Sequence, residues 1–435
     1  MPFSYTFYRS LDDLADGCGE SRCEVCRIIA GSRTDWLEGH IGKALAGAAE
    51  AEKTVAARRG RCPSNSLAWS AELAIMLRDF PRARKLLQGE SSETPGPEGS
   101  HPGGADPDCS RRHRYAVQLL QAYLAFTSGD VECAIALTLE GLNAAERCGT
   151  RTWHPLGHTL LAGAALRKVD LAMAMTYVTR IGEDALLGHP QNTPGQSAWV
   201  AALAYRAKDN LPAALRMITE LAEPGPAGRE LLLAQPGAAP WIVRFALQAK
   251  EPGLAARALR TAEGLAEANP RFPTVTAPVL HARALVERDP DGLRRAADAH
   301  VDPWAKASAL EDVGTLMAAG AGRKFAARAL DEASIHYMNS GSSYDCLRVK
   351  SKIREIGGFS IHQPRKEKPQ VVFTQLTGTE YSVAKLVSQG MTNIQVARML
   401  SLSRHTVAFH LRKVFRKLDV SSRVELACIW NKRSA

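Results

Sequence analysis

Residues 114–149 read RYAVQLLQAYLAFTSGDVECAIALTLEGLNAAERCG, and this stretch decides the fold. Leu119, Ala122, Tyr123 and Phe126 recur at spacings of three and four, which places them on one face of a helix. Ser128, Gly129 and Asp130 supply a turn, and Ala134, Leu137 and Leu142 line a second helix. A small side chain where two helices cross lets their backbones come close. A single hairpin of this kind cannot bury its apolar face, so neighbouring hairpins have to stack on it.

The same arrangement recurs along the chain. A turn residue followed four positions later by alanine occurs at Asp79/Ala83, Asp130/Ala134, Asp170/Ala174, Asp209/Ala213 and Glu251/Ala255, with weaker copies ending at Ala296 and Ala326. The alanines step by 51, 40, 39, 42, 41 and 30 residues. The unit at 309–337, ALEDVGTLMAAGAGRKFAARALDEASIHY, resembles a tetratricopeptide repeat (TPR), with Leu310, Val313, Gly314, Met317, Ala326, Leu330 and Ala333 at that family's consensus spacing. A spacing mostly near 40 exceeds the family's usual ~34, so TPR-like is the fitting description. No strand-rich region is expected. A Gly/Pro/Ser/acid-rich run centred on Gly89–Asp108 predicts a disordered loop over 89–112. A second low-order run, Gly357–Gln370, predicts a linker.

Charge is distributed unevenly. The chain carries 55 Lys/Arg against 45 Asp/Glu, a net +10, and nine of those ten excess charges fall between Pro364 and Ala435. A local excess of this size suits a polyanion, because each neutralised phosphate releases condensed counterions. No apolar run approaches the ~18 residues of a membrane span. The N-terminal stretch lacks a basic segment followed by an apolar one, so the expectation is a cytoplasmic protein.

The C-terminal segment carries four helix-start signatures. Thr377 with Glu380, Thr392 with Gln395, Ser403, and Ser422 with Glu425 each sit where a hydroxyl caps a first turn. A short turn joins the second and third helices, and the third is strongly basic. On that third helix Val407, Leu411, Val414 and Leu418 form a core stripe with His410 packing beside it. Arg404, His405, Ala408, Phe409, Arg412, Lys413 and Arg416 face elsewhere. Arg412 has the geometry to bond a guanine edge in a major groove, and Ala408 and Phe409 can meet thymine methyl groups. Thr392, Asn393, Thr406, Lys413, Lys417 and Arg423 suit phosphate contacts, which position without reading sequence. For His405, phosphate contact and plain solvation both stay open.

Residues 376–427 resemble the LuxR-type (GerE-like) DNA-binding domain. They carry LTxxE, GxTNxxVAxxL, SxxTVxxHLxxVxxKL and SRxEL in that family's order and spacing. The resemblance implies a four-helix helix-turn-helix domain with its recognition helix at Ser403–Lys417. It also implies base-facing Ala408, Phe409 and Arg412, with Ala408 standing where Lys is frequent. Leu426, Ile429 and Trp430 then lie on a helix that many relatives use to dimerise, or else pack a small core. The overall expectation is an all-α chain: a TPR-like superhelix over 1–356, a linker at 357–371 and the helix-turn-helix domain over 372–435.

The function this implies is a DNA-binding transcriptional regulator acting on promoter operators, as a homodimer on DNA and with RNA polymerase as a partner. A small-molecule or protein effector is expected in the concave groove of the repeats. The alternative is a TPR-type interaction scaffold whose basic tail binds nucleic acid. No P-loop, Ser/His/Asp array or His-rich metal motif is present, so no enzymatic activity and no cofactor are expected. Cys18, Cys23 and Cys26 form a C-x4-C-x2-C cluster that could hold a metal with Cys62, Cys109 or His40, act as a redox pair at Cys23/Cys26, or be ordinary thiols. Cys133, Cys148 and Cys428 are expected in the core.

Overall fold

The computed structural model describes residues 24–57, 64–91, 107–149, 151, 153–187, 193–318, 322–357, 376–388, 391–400, 402–418, 420 and 426. Every regular element among them is a helix. Two compact units are present, Met1–Ile361 and His362–Ala435.

In the first unit helices pair in sequence: α1 (Glu24–Leu37) with α2 (Ile41–Ala57), α3 (Ser64–Met76) with α4 (Phe80–Ser91), α5 (Pro107–Ser128) with α6 (Val131–Arg147), α7 (His154–Arg167) with α8 (Leu171–Leu186), and α9 (Pro194–Ala207) with α10 (Leu211–Ala222). A single short helix, α11 (Pro226–Ala234), follows. Then come α12 (Ala238–Gln248) with α13 (Pro252–Ala268), α14 (Pro273–Glu287) with α15 (Pro290–Ala299), α16 (Pro303–Ala318) with α17 (Arg323–Asn339), and finally α18 (Ser343–Glu355). The first helices of successive hairpins pack on one another, α3 on α5, α5 on α7, α7 on α9, α12 on α14 and α14 on α16. This is the TPR-like stacking read from the sequence. The expected loop at 89–112 is shorter than its composition implied, because α4 reaches Ser91 and α5 starts at Pro107. Its centre lies outside the described residues.

One turn geometry recurs. Eight turns between helices among the described residues hold a left-handed residue, at Gly39, Arg78, Gly129, Val169, Asp209, Lys250, Arg288 and Gly341. In each, the next residue's N–H donates back to the carbonyl five positions earlier at 2.7 to 3.0 Å, from His40 to Asp35 through Ser342 to Tyr337. This ends one helix in a Schellman motif. That next residue frequently caps the following helix, as Asp130 does for the Cys133 N–H and Asp170 for the Met173 N–H.

The alanines four residues beyond the turns are buried, including Ala83, Ala134, Ala174, Ala255, Ala296 and Ala326. One unit departs from the expected register. Asn210, not Asp209, accepts the capping bond, from the Ala213 N–H, while Asp209 takes the left-handed position. The crossing alanine is therefore Ala214, at 0 % exposure, and not Ala213, at 8 %. In the unit at 309–337 a methyl group added to Gly314 would stand 2.5 Å from Leu330 Cγ, so only glycine fits that crossing.

The superhelix also closes on itself. The Asn269 side chain accepts from the Ile41 N–H at 3.1 Å and donates to the Gly39 carbonyl at 2.6 Å. Arg78 Nε donates to Asp302 Oδ2 at 2.6 Å, and its Nη1 donates to the carbonyls of Ile75, Met76 and Ala234. Gly129 lies against the Asn339 carbonyl and Gly341 against the Gly129 carbonyl, too close for any Cβ. The expected concave groove is a cavity of about 470 Å³, walled by α5, α7, α9, α12, α16 and α18.

The Arg78 side chain is 1 % exposed and that of Asp302 9 %. Burial pushes the Asp302 carboxyl up, but the Arg78 guanidinium outweighs it and holds the group below its ordinary value. Removing one partner of such a pair leaves a buried, uncompensated charge, at a cost of roughly 3–5 kcal/mol. Arg78→Met is expected to lower the urea-unfolding free energy of the helical unit by that amount, and adding Asp302→Asn should recover part of it. A single variant as stable as the parent chain would mean that this pair does not hold the closure.

Candidate nucleic-acid interface

The second unit is built from α19 (Gly378–Ser388), α20 (Asn393–Met399) and α21 (Arg404–Leu418). Its starts are capped as the sequence predicts. The Thr377 N–H donates to Glu380 Oε2 at 2.9 Å. Thr392 and Gln395 form a complete capping box, and Ser403 Oγ accepts the Thr406 N–H at 3.0 Å. The fourth predicted helix, with Ser422 and Glu425, lies outside the described residues apart from Leu426.

Val383, Ala384 and Val387 of α19, Val396 and Ala397 of α20, and Val407, Leu411, Val414 and Leu418 of α21 form one core, joined by Val420 and Leu426. Burying these side chains at ~25 cal/mol per Å² is what orients α21. At 100° per residue, Phe409, Arg412 and Arg416 lie opposite that stripe, with Arg404 and Ala408 toward its flank. Arg404, Phe409, Arg412 and Arg416 are exposed, and Ala408 is half-buried. Phe409 is 48 % exposed, an unusual placement for so large an apolar ring. The Lys413 ammonium sits over that ring, 4.4 Å from its centroid, and His410 meets it edge-on at 5.7 Å. His410 is half-buried, with no hydrogen-bond partner for its Nδ1 among the described residues. The result is a ridge of guanidinium groups flanking one aromatic ring.

Of the expected phosphate contacts, Thr392 is exposed and Asn393 and Thr406 are half-buried at the starts of α20 and α21. Lys417 is engaged within the unit, donating to Glu380 Oε2 at 2.6 Å. The side chain of His405, and all of Arg423, Ile429 and Trp430, lie outside the described residues. Leu426, weighed for dimerisation, is 0 % exposed within the unit's own core.

Cys26 is buried on α1, while Cys18, Cys23, Cys62, Cys428 and the Cys109 side chain lie outside the described residues. His40 stands on the surface beside Asp35 and Glu38. Cys133 is exposed, not core, because it falls in the first turn of α6 on the side away from Ala134. Sequence reasoning expected a concave groove in the first unit but named none of the residues that line its cavity. A faint signal existed: Trp199, Trp241 and Trp304 all fall on first helices of hairpins, where they face inward.

The family match falls within the second unit. Residues 374–430 match the family model described as "Bacterial regulatory proteins, luxR family". This segment is a LuxR-type domain. Over 61 residues the chain is 41 % identical to the putative HTH-type transcriptional regulator Mb0914c of Mycobacterium bovis, covering 14 % of this chain and 7 % of that protein. It is 38 % identical over 84 residues to the nitrate/nitrite response regulator protein NarP of Escherichia coli, covering 19 % of this chain and 36 % of that one. The chain thus spans only a small part of the curated relatives it matches. The solved TPR domain of P58(IPK) aligns at 12 % identity and a TM-score of 0.21, covering 79 % of this chain and 100 % of that chain.

Glu380 gives the LuxR-type domain a pH signature. The Lys417 ammonium and then the Thr377 N–H draw its carboxyl down to about 2. A depressed carboxylate stabilises the fold at pH values above its unfolded value and loses that contribution as pH falls through the folded one. The domain should therefore weaken between roughly pH 4.3 and 2. Glu380→Gln is expected to cost about 1 kcal/mol at neutral pH and to flatten the dependence in that acidic window, as read by thermal unfolding. An unchanged acid profile would show that the pair contributes nothing to the fold.

Proposed function

We propose that this protein is a sequence-specific DNA-binding transcriptional regulator whose helical unit receives an effector. The observation that carries the reading is the outward face of α21, where Phe409, Arg412 and Arg416 stand exposed on a helix fixed from behind by its own core stripe. A helix of this kind fits the major groove, where each base pair presents a distinct pattern of donors and acceptors. Arg412 reads a guanine edge, Phe409 and Ala408 meet thymine methyl groups, and Arg404, His405 and Arg416 extend the same face. Thr392, Asn393, Thr406, Lys413 and Arg423 hold phosphates. Lys417 shares its ammonium between Glu380 and the backbone of the duplex. The relatives named as transcriptional and response regulators support this role.

On DNA the protein acts as a dimer at promoter operators, in contact with RNA polymerase. With Leu426 committed to the core, self-association falls to Ile429 and Trp430. No helix among the described residues is long and apolar enough to cross a membrane, which accords with a regulator working at the nucleoid.

The test is binding to sites recovered by genome-wide mapping, followed by fluorescence anisotropy at several salt concentrations. Arg412→Ala is expected to cost about 1–3 kcal/mol on the mapped site and to relax preference at one base position. Lys413→Ala should weaken all sequences alike and lower the salt slope by about one. Equal affinity for mapped and scrambled duplexes would overturn sequence-specific regulation and favour a scaffold with a basic tail.

A further inference from the structure

The cavity of the helical unit, about 470 Å³, has the size of a small-molecule site. Much of its wall is aromatic. Trp199 meets Trp241 and Trp304 edge to face at 6.5 and 6.1 Å, and Trp241 stacks on Phe245 at 5.1 Å. Trp199 is 7 % exposed, and its Nε1–H has no hydrogen-bond partner among the described residues. Five cations on the lining, Arg78, Arg206, Arg244, Arg348 and Lys352, each pair with a carboxylate.

Arg167 is different. No carboxylate stands within ion-pair distance of it among the described residues. Its guanidinium lies 3.9 Å from the centroid of the Phe126 ring. Nη1 donates to the Phe126 carbonyl at 2.7 Å and to the Ser340 carbonyl at 3.1 Å, while Nε and Nη2 donate to no described residue. Burial pulls the group down to about 10, with Asp302 and Asp345 opposing from farther away, so it stays charged at neutral pH. A guanidinium pinned flat on a ring with one edge unused is a preformed fork, and two parallel N–H donors match the two oxygens of a carboxylate. The aromatic rings of the same wall favour a flat hydrocarbon body.

We propose that this cavity binds a small organic carboxylate with an aromatic body, its carboxylate on the open edge of Arg167 and its ring among the tryptophans. The proposal rests on the reading of the helical unit as a sensor and names what it senses. Arg167 also supplies the means of response. The carbonyls it holds belong to the end of α5 and to the turn before α18, so an anion on its free edge fixes the guanidinium that joins the third hairpin to the last helix of the unit.

The test titrates the full chain with 2-naphthylacetate and with its neutral twin 2-naphthylacetamide, following tryptophan fluorescence and calorimetric heat. The acid is expected to quench the cavity tryptophans and to bind at least about tenfold more tightly than the amide. Arg167→Met should erase that difference while leaving the weak binding of the amide. Arg167→Lys, which keeps the charge without the fork, should fall between the two, with circular dichroism reporting an unchanged helix content. Equal binding of acid and amide overturns the carboxylate assignment and leaves the sensor reading standing. So does an acid preference that survives in Arg167→Met. No binding of either probe, by a chain that keeps its helix content and its mapped DNA site, overturns the cavity as a site of this kind. Ligand uptake without any DNA site preference would count against the regulator reading instead.

Discussion

The hairpins of the helical unit meet at crossing points occupied by small, buried side chains. The buried alanines at Ala83, Ala134, Ala174, Ala214, Ala255, Ala296 and Ala326 set how closely paired helices approach. Gly314, with no room for even a methyl beside Leu330, is the extreme case. Close approach brings larger side chains on either side into dense contact, and protein interiors at that density tolerate little change in volume. The spacing of helices then fixes the curvature of the stack. The curvature in turn brings hairpins far apart in sequence within hydrogen-bonding reach.

That reach converts a stack of locally folded units into a closed structure. Repeat proteins ordinarily derive stability from nearest neighbours alone. Here Asn269 bonds to the turn at Gly39, Arg78 to Asp302, and Arg167 to Ser340. Two of these three contacts take a guanidinium out of water: backbone carbonyls and the Asp302 carboxylate compensate Arg78, and backbone carbonyls alone hold Arg167. The same closure shapes the cavity that Trp199, Trp241 and Trp304 line. The LuxR-type domain is built on the opposite plan. Its three described helices are short, capped locally and held by one small core, and its only described ion pair joins Glu380 to Lys417.

This contrast explains what the sequence disclosed. The caps at Thr377, Thr392 and Ser403 and the Val407–Leu418 stripe are local patterns, and each is found where the residues place it. The hairpin rhythm was legible from alanine spacing, with a one-residue error at Ala213. That error arose because Asp209 and Asn210 are both good caps, and only the left-handed turn decides between them. Left-handed Arg78, Val169, Lys250 and Arg288 carry no local signal, since nothing in their side chains favours that conformation. Cys133 looked apolar in context but falls on the solvent side of α6. A groove was expected, but its lining was not legible because no short window contains both Arg167 and Ser340. Curvature, unlike periodicity, is a sum over many helices.

Closure across such distances also sets an order of events at the ribosome. The turn at Gly39–Ile41 meets Asn269, 228 residues later. At roughly 5–20 residues per second of synthesis, the first hairpin waits on the order of ten to forty-five seconds for that partner to emerge. During this interval the buried face of Arg78 and the inward tryptophans have no lid. The nascent helical unit is thus a set of folded hairpins with an open seam, and the last helices, α16 to α18, act as the clasp. A chain cut short before α16 would retain most of its helix but expose that seam permanently, making it a substrate for chaperones rather than a smaller version of the same fold.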